Sequence, residues 1–106
     1  GGVADVERLV DLYLGQLDGR LERLSLAVER GEADEVADVA HMLKSTTAML
    51  GAEDVAGELR ALEQGARGGE LASVSDGFGS ILKTFGELEK VLQAWLDDSR
   101  HERAAE

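Results

Sequence analysis

His41 and His101 are the only imidazoles in a chain without cysteine. Thiol nucleophiles, disulfides and cysteine-based zinc sites are therefore excluded. His41 is followed by Lys44 three residues on and Ser45 four residues on. Neutral imidazole is a good nucleophile near pH 7, and a cation one helical turn away can neutralise a dianion that the ring accepts. The pairing suits phosphoryl transfer, in which negative charge is spread over the equatorial oxygens. Two alternatives use the same residues. An exposed histidine beside an ordinary helix lysine needs no function at all. The acid-x-x-His pairs Asp38/His41 and Asp98/His101 have the spacing of carboxylate–histidine metal sites in helical bundles. Aspartate is shorter than the glutamate such sites use, the apolar stripes offer no glutamate, and His101 falls in a polar tail. No metal and no other cofactor is expected.

The value of His41 depends on the helix that carries it. At about 100° per residue, Val36, Val39, Ala40, Leu43, Thr47 and Leu50 fall within about 50° of one direction and form the core face. His41 points about 150° away from that face, which predicts an exposed ring. Ala37, Ser45 and Ala48 are its outward neighbours, small enough to let a partner approach. Lys44 sits on the flank, where its charge should be solvated and its removal should cost little stability.

The hydrophobic period is helical along the whole chain, with no strand-like alternation of useful length. Val6, Val10, Tyr13, Leu17, Leu21, Leu24 and Val28 make one face of a segment from about Val3 to Arg30. Gly15 and Gly19, each costing about 1 kcal/mol relative to Ala, predict a short first helix, a bend, and a second helix ending at Gly31. The helix of His41 starts near Glu32–Asp34, where acidic residues suit the helix dipole, and ends at Leu50. A third helix follows Ala52 with a stripe of Val55, Leu59, Leu62 and Ala66, and Gly68-Gly69 close it. Leu71, Val74, Phe78, Ile81, Phe85, Leu88, Leu92 and Trp95 alternate spacings of three and four, a heptad pattern. The charged tail after Asp98 should fray. The expected fold is all-α: an antiparallel four-helix bundle with an additional short N-terminal helix, ordered from about residue 3 to 98. A bundle completed by a second chain is the structural alternative.

The 106 residues suffice for one domain, and 43 % hydrophobic residues suffice for a core. Gly1-Gly2 read as a linker or cloning remnant of a domain cut from a longer protein. The net charge of −11, with no basic stripe, repels phosphate backbones and anionic lipid. Nucleic acid and membrane are thus set aside as partners. No apolar run approaches the roughly 18 to 20 residues of a membrane span, no signal peptide is expected, and the absence of cysteine fits the cytoplasm.

The segment Ala40-His41-Met42-Leu43-Lys44-Ser45, with Gly51 closing it, resembles the A-H-x-L-K-G-x-x-x-x-x-G signature of histidine-phosphotransfer domains. Ala52-Glu53-Asp54-Val55 and Leu59-Arg60-Ala61-Leu62-Glu63 are similar to the family's next helix. The resemblance implies that His41 is the phosphoacceptor, that Lys44 contacts the phosphoryl group, and that Glu63 hydrogen-bonds the second ring nitrogen. It implies a phosphorelay intermediate without kinase activity of its own. A histidine kinase or hybrid kinase and the aspartate of a response-regulator receiver domain would be its partners, and the chain would act as a monomer. The family's glycine after the lysine is Ser45 here, still small, so access should survive with slower transfer. A chemotaxis-type kinase's phosphorylatable domain and a non-transferring adaptor bundle are the alternatives within this fold.

Overall fold

The computed structural model describes residues 2–72 and 76–105. Four helices account for almost all of them: α1 (Val3–Arg30), α2 (Ala33–Met49), α3 (Glu53–Arg67) and α4 (Phe78–Ala105). Consecutive helices run antiparallel. Tyr13 meets Thr47 and Arg23 meets Glu35 between α1 and α2. His41 meets Glu63 and Asp38 meets Arg67 between α2 and α3. Asp11 meets Arg100 at 3.4 Å where α4 returns along α1. Leu17, Leu24, Val36, Val39, Leu43, Leu59, Leu62 and Phe85 are buried at the centre of one apolar cluster. Among the described residues, no helix is long and apolar enough to cross a membrane.

The links from α1 to α2 and from α2 to α3 are short because glycine closes those helices. Gly31, at φ 69°, sends its N–H back to the carbonyls of Ala27 and Val28. Gly51, at φ 82°, donates to Ala48 O at 3.0 Å. Both are left-handed positions where a side chain would be strained, and Gly51 is the turn that sends α3 back beside His41.

α1 corrects the expected short N-terminal helix. It runs unbroken for 28 residues through Gly15 and Gly19. Both glycines lie on the exposed face, and nothing stands within 4 Å of where their Cβ atoms would be. Two glycines cost about 2 kcal/mol of propensity, less than burying Tyr13, Leu17 and Leu24 contributes at about 1.5–3 kcal/mol each. Val6 is exposed and Glu7 buried, a turn of the stripe that the pattern of apolar residues does not reveal.

α4 differs from expectation at both ends. Its described part begins at Phe78; Leu71 and Ala72 are helical, and Val74 lies outside the described residues. Near its other end Leu96 is buried and Trp95 is 39 % exposed. The heptad assignment fails because a straight helix has a period of 3.6, not 3.5. Leu96 lies 18 residues after Phe78, five turns later and on the same line, whereas Trp95 is about 100° off it. The helix then continues past Asp98 to Ala105. Ser99 donates to Glu7 Oε2 at 2.6 Å, and Arg103 pairs with the other oxygen of Glu7. These contacts fasten the charged tail that was expected to fray.

Candidate functional site

α2 presents His41 to solvent, with 57 % of the side chain exposed. The outward orientation expected from the wheel is observed. One edge of the ring is tied down: Nδ1–H donates to Glu63 Oε2 at 3.0 Å. A carboxylate can only accept, so this bond selects the tautomer with hydrogen on Nδ1. The lone pair is then on Nε2, at the other edge of the ring. Glu63 reaches His41 because Leu59, Leu62 and Ala66 bury the adjoining face of α3 against the core. That packing turns the next position along α3 towards α2.

Glu63 is the hub of the site. Its side chain is only 11 % exposed. Lys44 Nζ donates to its Oε1 at 2.9 Å, and Arg67 Nε donates to Oε2 at 3.3 Å. Burial works to raise the Glu63 pKa, but hydrogen bonds from Lys44 and Arg67 and the charge of Lys44 outweigh it. The carboxyl is held below its ordinary value, ionised and able to accept from the ring.

Lys44 departs from expectation. Its side chain is 22 % exposed, so it lies mostly covered beside Glu63 rather than in solvent. Ala37 departs further: it is 1 % exposed and belongs to the core. Ala37 and Lys44 share the flank of α2 that turns towards α3, about 40° and 60° from His41 on the wheel, and α3 packs close enough there to cover both. Of the three small residues expected around the ring, Ser45 is exposed and Ala48 half-buried. Ser45 Oγ donates to His41 O at 3.1 Å, which turns the hydroxyl back onto its own helix and keeps its profile low.

Arg67 was not anticipated. It bridges Glu63 and, at 3.7 Å, Asp38 Oδ1 on α2. The sequence does carry a signal for it, since Glu63 and Arg67 are an i, i+4 acid–base pair on one helix face.

A neutral imidazole nucleophile, locked in one tautomer, open at Nε2 and flanked by an ammonium group, is equipped to accept a phosphoryl group. No curated protein and no solved structure matches this chain. The profile of the Hpt domain family matches residues 8–102, which takes in His41, Lys44, Glu63, all of α2 and α3 and most of α1 and α4, so the chain belongs to the Hpt domain family and has the family's role in histidine phosphotransfer.

Proposed function

We propose that this chain is a cytoplasmic phosphorelay intermediate that carries a phosphoryl group on Nε2 of His41 and exchanges it with the aspartate of a response-regulator receiver domain. A histidine kinase or hybrid kinase would supply the relay. The observation that carries the assignment is the bond from Nδ1–H to Glu63, which leaves Nε2 as the free edge of an exposed ring. Nε2 attacks the phosphorus of an aspartyl phosphate in line. The N–P bond forms as the P–O bond breaks, and the aspartate leaves as a carboxylate. The ring, still protonated on Nδ1, becomes cationic, and Glu63 balances that charge. Lys44 then turns from Glu63 towards the phosphoryl oxygens. The reverse sequence returns the group to a receiver, and any Mg²⁺ in the exchange belongs to the receiver.

A receiver must come within bonding distance of Nε2, and the surface of α2 beyond the ring allows it. Ser45 and Ala48 offer little bulk. Past them, exposed Leu9, Leu12 and Met49 line a shallow groove between α1 and α2 together with Gln16 and Thr46. An exposed apolar patch of this kind is what a partner surface uses.

We propose further that the chain does not phosphorylate itself. Its sequence has no glycine-rich phosphate loop of the P-loop or protein-kinase type. Incubation with ATP and magnesium should leave it unlabelled, while a phosphorylated receiver domain should label it within minutes. Labelling by ATP alone would refute the carrier assignment, as would failure of every phosphorylated receiver and kinase tried.

A further inference from the structure

The carrier role assigned to His41 leaves Arg67 unexplained, although Arg67 is the second cation of the cluster. Glu63 divides its oxygens unequally. Among the described residues, Oε1 accepts from Lys44 alone, at 2.9 Å. Oε2 accepts both from His41 Nδ1, at 3.0 Å, and from Arg67 Nε, at 3.3 Å. If Lys44 turns to a phosphoryl group, Oε1 loses its partner while Glu63 stays largely buried. A buried carboxylate that has lost one of its cations more readily takes up a proton, here the one on Nδ1 of the cationic ring, and a protonated Glu63 no longer balances the ring's charge.

Arg67 can prevent this. It bonds the same oxygen as the ring, so its hold does not depend on Lys44. Its other contact, to Asp38 Oδ1 at 3.7 Å, ties it to α2 one turn before His41. It also keeps its charge throughout. We propose that Arg67 is a positioning residue: through Glu63, it keeps the proton on Nδ1 of His41 when Lys44 leaves Glu63 for the phosphoryl group. This rests on the carrier role proposed for His41. Lys44 serves the incoming charge, and Arg67 maintains the hydrogen bond behind the ring.

The test substitutes the departure of Lys44 by its removal. In the 106-residue chain, ¹⁵N NMR of the His41 ring reports the tautomer and ¹³C NMR of the Glu63 carboxyl reports its titration. Lys44→Ala alone should keep the Nδ1–H form. In that background Arg67→Gln should raise the Glu63 midpoint and release the ring to the Nε2–H form favoured by free histidine, while Arg67→Lys should preserve both. A purely architectural arginine would move melting without moving tautomer or titration.

Should the double variant fail to fold, the single Arg67→Gln variant provides the test, because phosphorylation by phosphoramidate itself draws Lys44 away. Its phosphohistidine should decay at least about threefold faster than that of wild type, with Arg67→Lys restoring the lifetime. An Nδ1–H ring and unmoved midpoint in the double variant, or a wild-type lifetime in the single one, overturns the role of Arg67 and leaves the carrier role standing. A wild-type chain that takes no label from phosphoramidate overturns the carrier role itself, and this one with it.

Discussion

At the scale of single residues, the site matches a mostly buried glutamate to two cations and one imidazole. Lys44→Ala should cost about 1–2 kcal/mol in urea unfolding, more than an exposed lysine and less than a broken buried pair, because Arg67 remains on Glu63. An unchanged unfolding midpoint would contradict the covered position of Lys44. Glu63 also gives the protein a pH signature. Its carboxyl titrates below the ordinary value of 4.5 in the folded state, so its contribution to stability is fully present above that value and is lost as pH falls through the folded one. Stability of wild type should therefore fall more steeply below about pH 4.5 than that of Glu63→Gln. Parallel curves would remove Glu63 from the charge network. Ser45→Trp should still be labelled at His41 by phosphoramidate, with transfer to a receiver slowed at least about tenfold, or about 1.4 kcal/mol; wild-type transfer would move the docking face elsewhere. The exposure of His41 was legible in the sequence because it follows from helix period alone. The cover over Ala37 and Lys44 was not, because the wheel tells which way a side chain points and not how near the next helix comes. Arg67 was overlooked because it acquires its meaning only once α3 lies beside α2.

At the scale of elements, the four helices and their glycine stops could be read from apolar spacing, but continuity and register could not. Gly15 and Gly19 look like breakers when counted as propensities, yet their exposed positions leave the buried stripe of α1 intact. Gly15→Ala and Gly19→Ala should each stabilise the protein by about 0.5–1 kcal/mol; destabilisation by either would indicate a bend that the continuous helix lacks. Gly51→Ala should act in the opposite sense, costing about 1 kcal/mol or more, because alanine is strained at φ 82°. The same variant should disturb transfer, since that turn sets where α3 places Glu63. In α4, a heptad read from sequence selects Trp95, whereas the 3.6-residue period of a straight helix selects Leu96.

At the scale of the whole molecule, the bundle is 54 Å long and about 20 Å across, because α1 and α4, with 28 residues each, outrun α2 and α3, with 17 and 15. The overhanging ends are joined by the buried Glu7 with Ser99 and Arg103, and by Asp11 with Arg100. The Ser99 hydrogen bond, against the effect of burial and aided by Arg103 and Arg100, holds the Glu7 carboxyl below its ordinary value. Arg103→Ala should lower the melting temperature while leaving phosphorylation of His41 unchanged, since the clasp lies away from the site. The bond between Glu7 and Ser99 joins residues 92 positions apart, which no local pattern can announce, whereas the motif around His41 is local and was read directly. The proposed carrier role requires that one phosphoryl group be held on Nε2 of His41. Phosphoramidate treatment followed by ³¹P and ¹⁵N NMR and peptide mapping tests it most directly. Wild type should acquire a single acid-labile phosphate on Nε2 of His41, and folded His41→Gln should acquire none. Label retained by His41→Gln, or found on His101, would contradict the account.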